Sequence, residues 1–220
     1  MVGSLSCTTV KISCGVDHPL FFYDFSAPYC YLSAARLGEV LPAEPIWQPI
    51  IFGALMGAIG KVSWTLRKGP ARDAQMREVE QRAADLGLPL TWPRDWPFGT
   101  YSTLVVRAAL IAAEYGRIKE FSLAAYEAGL GHGGDLSDLE VILAVAAKAN
   151  LDPDVLRQGI DAMAVKQRMR DITAHAIRLG VTGVPSLVVE HKIFWGDDQM
   201  EDAARFMTVT AIPAAAGTLQ

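Results

Sequence analysis

Six consecutive residues, Leu20-Phe21-Phe22-Tyr23-Asp24-Phe25, run directly into Ser26-Ala27-Pro28. No other stretch restricts the fold so tightly. An aromatic-rich run of that length predicts a buried strand. Ser caps helix N-termini, and Pro suits a first helical turn because its missing N–H would have no partner there. Residues 29–40 place Tyr31, Leu32, Ala35, Leu37 and Val40 at helical spacing, and residues 44–51, with Ile46-Trp47 between Pro45 and Pro49, read as a second strand near an edge. The chain therefore opens strand, helix, strand.

The middle reads as helical. Residues 71–86 form a charged amphipathic segment ending at Gly87, and a turn rich in Trp and Pro follows at 92–97. Further helices are predicted over 102–115, 118–128, 138–149 and 154–179, the last broken near Met163, with Asp135 or Ser137 and Asp152-Pro153 as start signals. Gly131, Gly133 and Gly134 mark a loop. After Gly180 the pattern returns to β. Residues 186–189 and 193–195 are strands around a polar turn at 190–192, and Gly196-Asp197-Asp198 opens a last helix over 199–207. The expected division is an irregular arm over 1–18, a sheet-bearing domain from 19–53 and 180–208, a helical insertion over 54–179, and a flexible tail over 209–220 rich in Pro, Ala and Gly.

Composition removes several classes. Apolar residues make up 51% and charged residues 20% of the 220, a balance that supports a sizeable core. The net charge is -4 with no basic block, so no nucleic-acid partner is expected. The longest apolar run, 49–59, falls short of the roughly 20 residues of a membrane span. The first 18 residues lack both a basic leader and an unbroken apolar stretch, so no signal peptide is expected. The three cysteines, Cys7, Cys14 and Cys30, include no C-x-x-C. That argues against a disulfide framework and against zinc, and makes cytoplasm the expected location. His18, His132, His175 and His191 lack metal-ligand spacing.

Three motifs carry a family resemblance: Tyr23-Asp24-Phe25-Ser26-Ala27-Pro28-Tyr29-Cys30-Tyr31-Leu32, Gly183-Val184-Pro185-Ser186-Leu187-Val188-Val189, and Phe194-Trp195-Gly196-Asp197-Asp198-Gln199-Met200. In order and separation they resemble the DsbA-like group, and within it the 2-hydroxychromene-2-carboxylate isomerases and kappa-class glutathione transferases. The resemblance implies an α/β thioredoxin-like fold (βαβ…ββα) with a large all-helical insertion. It implies glutathione as cofactor, a small aromatic, chromene-carboxylate-like substrate, and no membrane partner; a homodimer is the expected assembly.

Family roles carry over residue by residue. Pro185 matches a cis-proline, and the backbone of Val184 would pair with the cysteinyl backbone of glutathione. Asp198 would bind the γ-glutamyl ammonium. Asp197 lies beside the γ-glutamyl carboxylate, where Ser or Asn is usual, so its charge is expected to repel unless only its backbone N–H is offered. Tyr29 and Trp195 are expected to line the substrate pocket. The usual nucleophile or hydroxyl position is Ala27, which can neither attack nor donate. Ser26, one residue earlier, reads either as a helix cap or as a replacement hydroxyl. Cys30, at the place of the second cysteine of a C-P-x-C, reads either as a core residue or as a catalytic thiol. Lys61, Arg67 and Lys68 read as a solvated loop. Three functions remain: a glutathione-dependent isomerase or transferase, a non-catalytic binding protein, and a thiol–disulfide oxidoreductase, the last disfavoured by Ala27.

Overall fold

A computed structural model describes residues 18–94, 96, 97 and 102–211. It opens with β1 (Leu20–Tyr23), α1 (Pro28–Val40) and β2 (Ile46–Pro49). β1 and β2 are parallel, with Leu20 opposite Ile46, and α1 is the crossover that a parallel pair requires. On its other side β1 pairs antiparallel with β3 (Ser186–Val189), and β3 with β4 (Lys192–Trp195), giving the order β2-β1-β3-β4.

All four residues of β1 are buried because both faces of the sheet are covered. Alternation sends Phe21 and Tyr23 into the larger core, shared with Leu187 and Val189. Leu20 and Phe22 point to the opposite core with Ile50, Val181 and Val188. The larger core is closed by α1, α4 (Thr103–Glu114), α5 (Ile118–Tyr126), α6 (Leu139–Lys148) and α9 (Met200–Ala211). The smaller core is closed by α2 (Phe52–Ala58) and α8 (Met163–Arg178). Each buried aromatic of β1 contributes roughly 1.5–3 kcal/mol by leaving water.

Local chemistry sets the element ends. β1 stops at Tyr23, two residues before the expected end, because the Asp24 carboxylate takes the Ser26 N–H at 2.8 Å and turns the chain. Asp138, not Asp135 or Ser137, caps α6 through the Glu140 N–H at 2.8 Å, while Asp135 makes its own turn onto Ser137. The break expected near Met163 is present: α7 (Pro153–Gly159), capped by Asp152, ends before it and α8 starts at Met163. α3 (Pro70–Asp85) starts after Gly69, whose φ of +107° suits glycine. The residues after α5 form a π-type turn, Glu127–Gly131, so Gly131 belongs to a helical element. α2 has no counterpart in the sequence reading; it sits inside the apolar run 49–59. α9 continues to Ala211, so residues 209–211 are helical rather than tail. The expected arm up to residue 17, with Cys7 and Cys14, and residues 212–220 lie outside the described residues. Among the described residues no helix is long and apolar enough to cross a membrane, and no His, Cys, Asp and Glu group has metal-binding geometry.

Candidate functional site

The sheet order carries the start of α1, the turn before β3 and the end of β4 to one place. A cleft of about 650 Å³ opens there. Ser26, Ala27 and Tyr29 form its floor, Val184 and Pro185 one side, and Trp195, Asp197 and Asp198 the end. The far wall comes from the segment between α2 and α3 and from α3 itself: Lys61, Trp64, Arg67, Glu78 and Arg82. Of the residues given a family role or weighed as catalytic in the sequence, Ser26, Ala27, Tyr29, Val184, Pro185, Trp195, Asp197 and Asp198 line this cleft and Cys30 does not.

A buried carboxylate organises the floor. Asp24 is 1% exposed and accepts four hydrogen bonds: the Ser26 N–H at 2.8 Å and Ser26 Oγ at 2.6 Å on one oxygen, the Phe52 N–H at 2.8 Å and Ser102 Oγ at 2.9 Å on the other. One side chain thus ties together the starts of α1, α2 and α4. Ser26 is therefore not the cap of α1. That position is Ala27, which makes no side-chain cap bond, and the serine hydroxyl is committed to Asp24.

The helix end is short of free donors. Ala27 N–H bonds the Asp24 carbonyl at 3.1 Å, Pro28 has no N–H, and Cys30 N–H turns back to the Ala27 carbonyl at 3.0 Å. Tyr29 N–H is the one without a protein acceptor among the described residues.

Cys30 faces inward. It is wholly buried beside Tyr126, whose hydroxyl donates to the Asp24 carbonyl at 3.1 Å, and burial pushes the Cys30 thiol well up. A thiol with no exposure and a raised pKa is no nucleophile toward a molecule in the cleft. The catalytic reading of Cys30 gives way to the core reading.

Across the cleft the peptide bond between Val184 and Pro185 is cis. Val184 lies outside the β3 ladder, and its N–H and carbonyl have no protein partner among the described residues. Trp195 is 57% exposed and its indole lies flat against Gly183, where an added Cβ would stand 2.3 Å from Nε1. Only glycine at 183 allows the indole to build this wall. Gly196, with φ +114°, likewise leaves room for Asp198 Oδ1.

Asp197 departs from expectation. Its side chain is fully buried, accepts from Ser33 Oγ at 3.0 Å, and pairs with Arg82 from α3 and with Arg36 from α1. Burial holds this carboxyl above its ordinary value, with Arg82, Ser33 and Arg36 pulling the other way. The expected repulsion of a ligand carboxylate is removed because two guanidiniums already neutralise the charge; only the Asp197 backbone remains for a ligand. Asp198 is exposed and has no ion pair among the described residues.

Arg82 was not anticipated. The Arg82 guanidinium stands 5.8 Å over the Tyr29 ring while pairing with Asp197, and Trp64 meets Tyr29 edge-on at 6.1 Å. Burial and Glu78 push the Tyr29 hydroxyl up to about 12, so it stays protonated. Lys61 and Arg67 are exposed, as a solvated loop requires, yet both line the cleft; Lys68 does not.

The family model of the DSBA-like thioredoxin domain matches residues 20–208. The chain belongs to the DsbA-like thioredoxin family. Two curated relatives agree along nearly their whole length. The 2-hydroxychromene-2-carboxylate isomerase of Sphingobium xenophagum is 28% identical over 185 residues, 82% of this chain and 93% of that one. The isomerase of the same name from Pseudomonas sp. (strain C18) is 24% identical over 200 residues, 89% and 92% of the two chains. Among solved structures, a 2-hydroxychromene-2-carboxylate isomerase superposes with a TM-score of 0.72 at 21% identity, covering 88% of this chain and 96% of that one. The cytosolic disulfide reductase DsbM of Pseudomonas aeruginosa, solved with GSH, gives 0.60 at 16% identity, covering 88% and 98%. This DsbA-like chain shares their fold. It carries Ala27 at the head of α1 and, among the described residues, one buried cysteine beneath it, so the described part of this site holds no pair of thiols for dithiol exchange.

Proposed function

We propose that the protein binds glutathione in this cleft and acts on a small aromatic molecule of chromene-carboxylate type seated beside it. The observation that carries the reading is the convergence, on one cleft, of an unpaired peptide unit at Val184, an unpaired carboxylate at Asp198 and an aromatic wall. An extended peptide backbone pairs with the first, and an ammonium with the second. Tyr29, Trp64 and Trp195 offer flat apolar surface to an aromatic ring, and the exposed cations Lys61 and Arg67 suit its carboxylate. The names of the isomerase relatives, and the GSH held by one structural neighbour, support the same assignment.

A second reading, binding without turnover, is favoured by Ala27 together with the capture of the Ser26 hydroxyl by Asp24. Conversion of 2-hydroxychromene-2-carboxylate, followed by ultraviolet absorbance with and without reduced glutathione, separates the two. Turnover that requires glutathione is the expected result. Glutathione bound without turnover selects the second reading, and conversion that ignores glutathione contradicts the proposal.

A further inference from the structure

We infer that the cleft is built for glutathione whose sulfur is already substituted, a neutral thioether conjugate, in preference to the free thiolate. The inference rests on the glutathione reading of the cleft and specifies which form of the ligand it takes.

The argument begins with the donors at the head of α1. A thiolate there needs hydrogen bonds to its charge, from side chains or from the unpaired N–H groups of a first helical turn. Ala27 provides no side-chain donor. The Ser26 hydroxyl points its proton at Asp24, at 2.6 Å, and so has none to give a sulfur. The N–H groups of Ser26, Ala27 and Cys30 are each bonded within the turn, and Pro28 has none. Tyr29 N–H is left alone.

Charge acts in the same direction. Asp24 is buried directly under this turn, and its hydrogen-bond partners are all neutral donors. A second anion placed on the turn meets a like charge in a region of low dielectric, which disfavours the ionised form.

The surroundings instead suit a substituent. The sulfur position is flanked by the methyl of Ala27 and the ring of Pro28, and the charged wall of the cleft is interleaved with apolar and aromatic side chains: Phe52, Met56, Val62, Tyr29, Trp64 and Trp195. Its volume of about 650 Å³ exceeds what a tripeptide backbone docked along Val184 fills. An alkyl or aryl group on sulfur gains apolar contact there and brings no charge to the head of α1. The ligand is the product of a reaction that forms a carbon–sulfur bond from the glutathione thiol. In an addition to an activated alkene the thiol proton ends on carbon; in a displacement the leaving group departs with its electron pair.

Calorimetric titration with reduced glutathione and with S-hexylglutathione, at about pH 6.5 and 8.5, tests this, because the free thiol ionises near 8.5. The conjugate carries the same amino and carboxyl groups, so its own pH dependence accounts for theirs. Wild-type protein is expected to bind S-hexylglutathione at least about tenfold more tightly, and to gain no affinity for reduced glutathione at the higher pH. Ala27→Ser, a favourable change at a helix cap, is expected to make reduced glutathione bind more tightly at the higher pH and so to narrow the preference for the conjugate at that pH. Reduced glutathione that tightens with pH in the wild type, with thiolate absorbance of the bound sulfur, overturns the inference and leaves the glutathione reading standing. Failure of both ligands to bind overturns both.

Discussion

At the scale of single residues, three side chains decide the chemistry by what they are committed to. Ser26 has a hydroxyl in the cleft, but its proton belongs to Asp24; Cys30 has sulfur at the right turn of the right helix, but no exposure. Native protein treated with a maleimide at neutral pH is therefore expected to leave Cys30 unmodified by peptide mass mapping, with labelling only after denaturation. Rapid native labelling at Cys30 would contradict its burial. Asp197 gives a pH test. Its folded-state proton affinity is raised by burial, so its contribution to stability is complete below the ordinary carboxyl value of about 3.9 and is lost as pH rises through the raised value. Asp197→Asn carries no such proton. The melting temperature of the Asn variant relative to wild type should therefore rise between about pH 3.5 and 7. A relative stability that is flat or falls over that range contradicts the raised proton affinity of Asp197 and puts the ion pairs to Arg82 and Arg36 above burial.

At the scale of elements, the sequence was most readable where local chemistry acts alone. The aromatic run before Ser26-Ala27-Pro28 marked β1 and α1, β-branched residues marked β3, and Asp152-Pro153 marked the start of α7. Legibility failed where the deciding partner is distant. Arg82 looked like one more charge on an amphipathic helix; its role comes from Asp197, 115 positions away. The capture of Asp24 by Phe52 and Ser102 is equally long-range, and it is what turns the presumed cap hydroxyl of Ser26 inward. α2 escaped notice because seven residues with two glycines hold too little periodicity to separate a short helix from a loop. The head of α1 offers a test of register. In Ala27→Cys the new thiol stands one helical turn before Cys30, close enough to reach it inside the protein, and oxidation is expected to bridge the two, visible as the loss of two hydrogens within one peptide. A variant that stays reduced under the same oxidant would remove position 27 from the nucleophile's place.

At the scale of the molecule, the four-stranded sheet brings three motifs from both ends of the chain to one cleft, and the helical insertion supplies the opposing wall. Fold and function separate here: the DsbA-like scaffold is intact, while the sequence has no C-x-x-C and Ala27 heads α1. What the scaffold retains is a peptide-pairing edge at Val184 and a free carboxylate at Asp198. The central claim is that these two hold glutathione. Calorimetric titration of wild type and Asp198→Ala with glutathione and with S-hexylglutathione tests it most directly. The account predicts saturable binding to the wild type and a loss of about 1.5–3 kcal/mol, roughly ten- to a hundredfold, in the variant at unchanged melting temperature, the range for a charge-assisted hydrogen bond. Equal affinity in the two proteins, or no binding to the wild type at millimolar ligand, would contradict it.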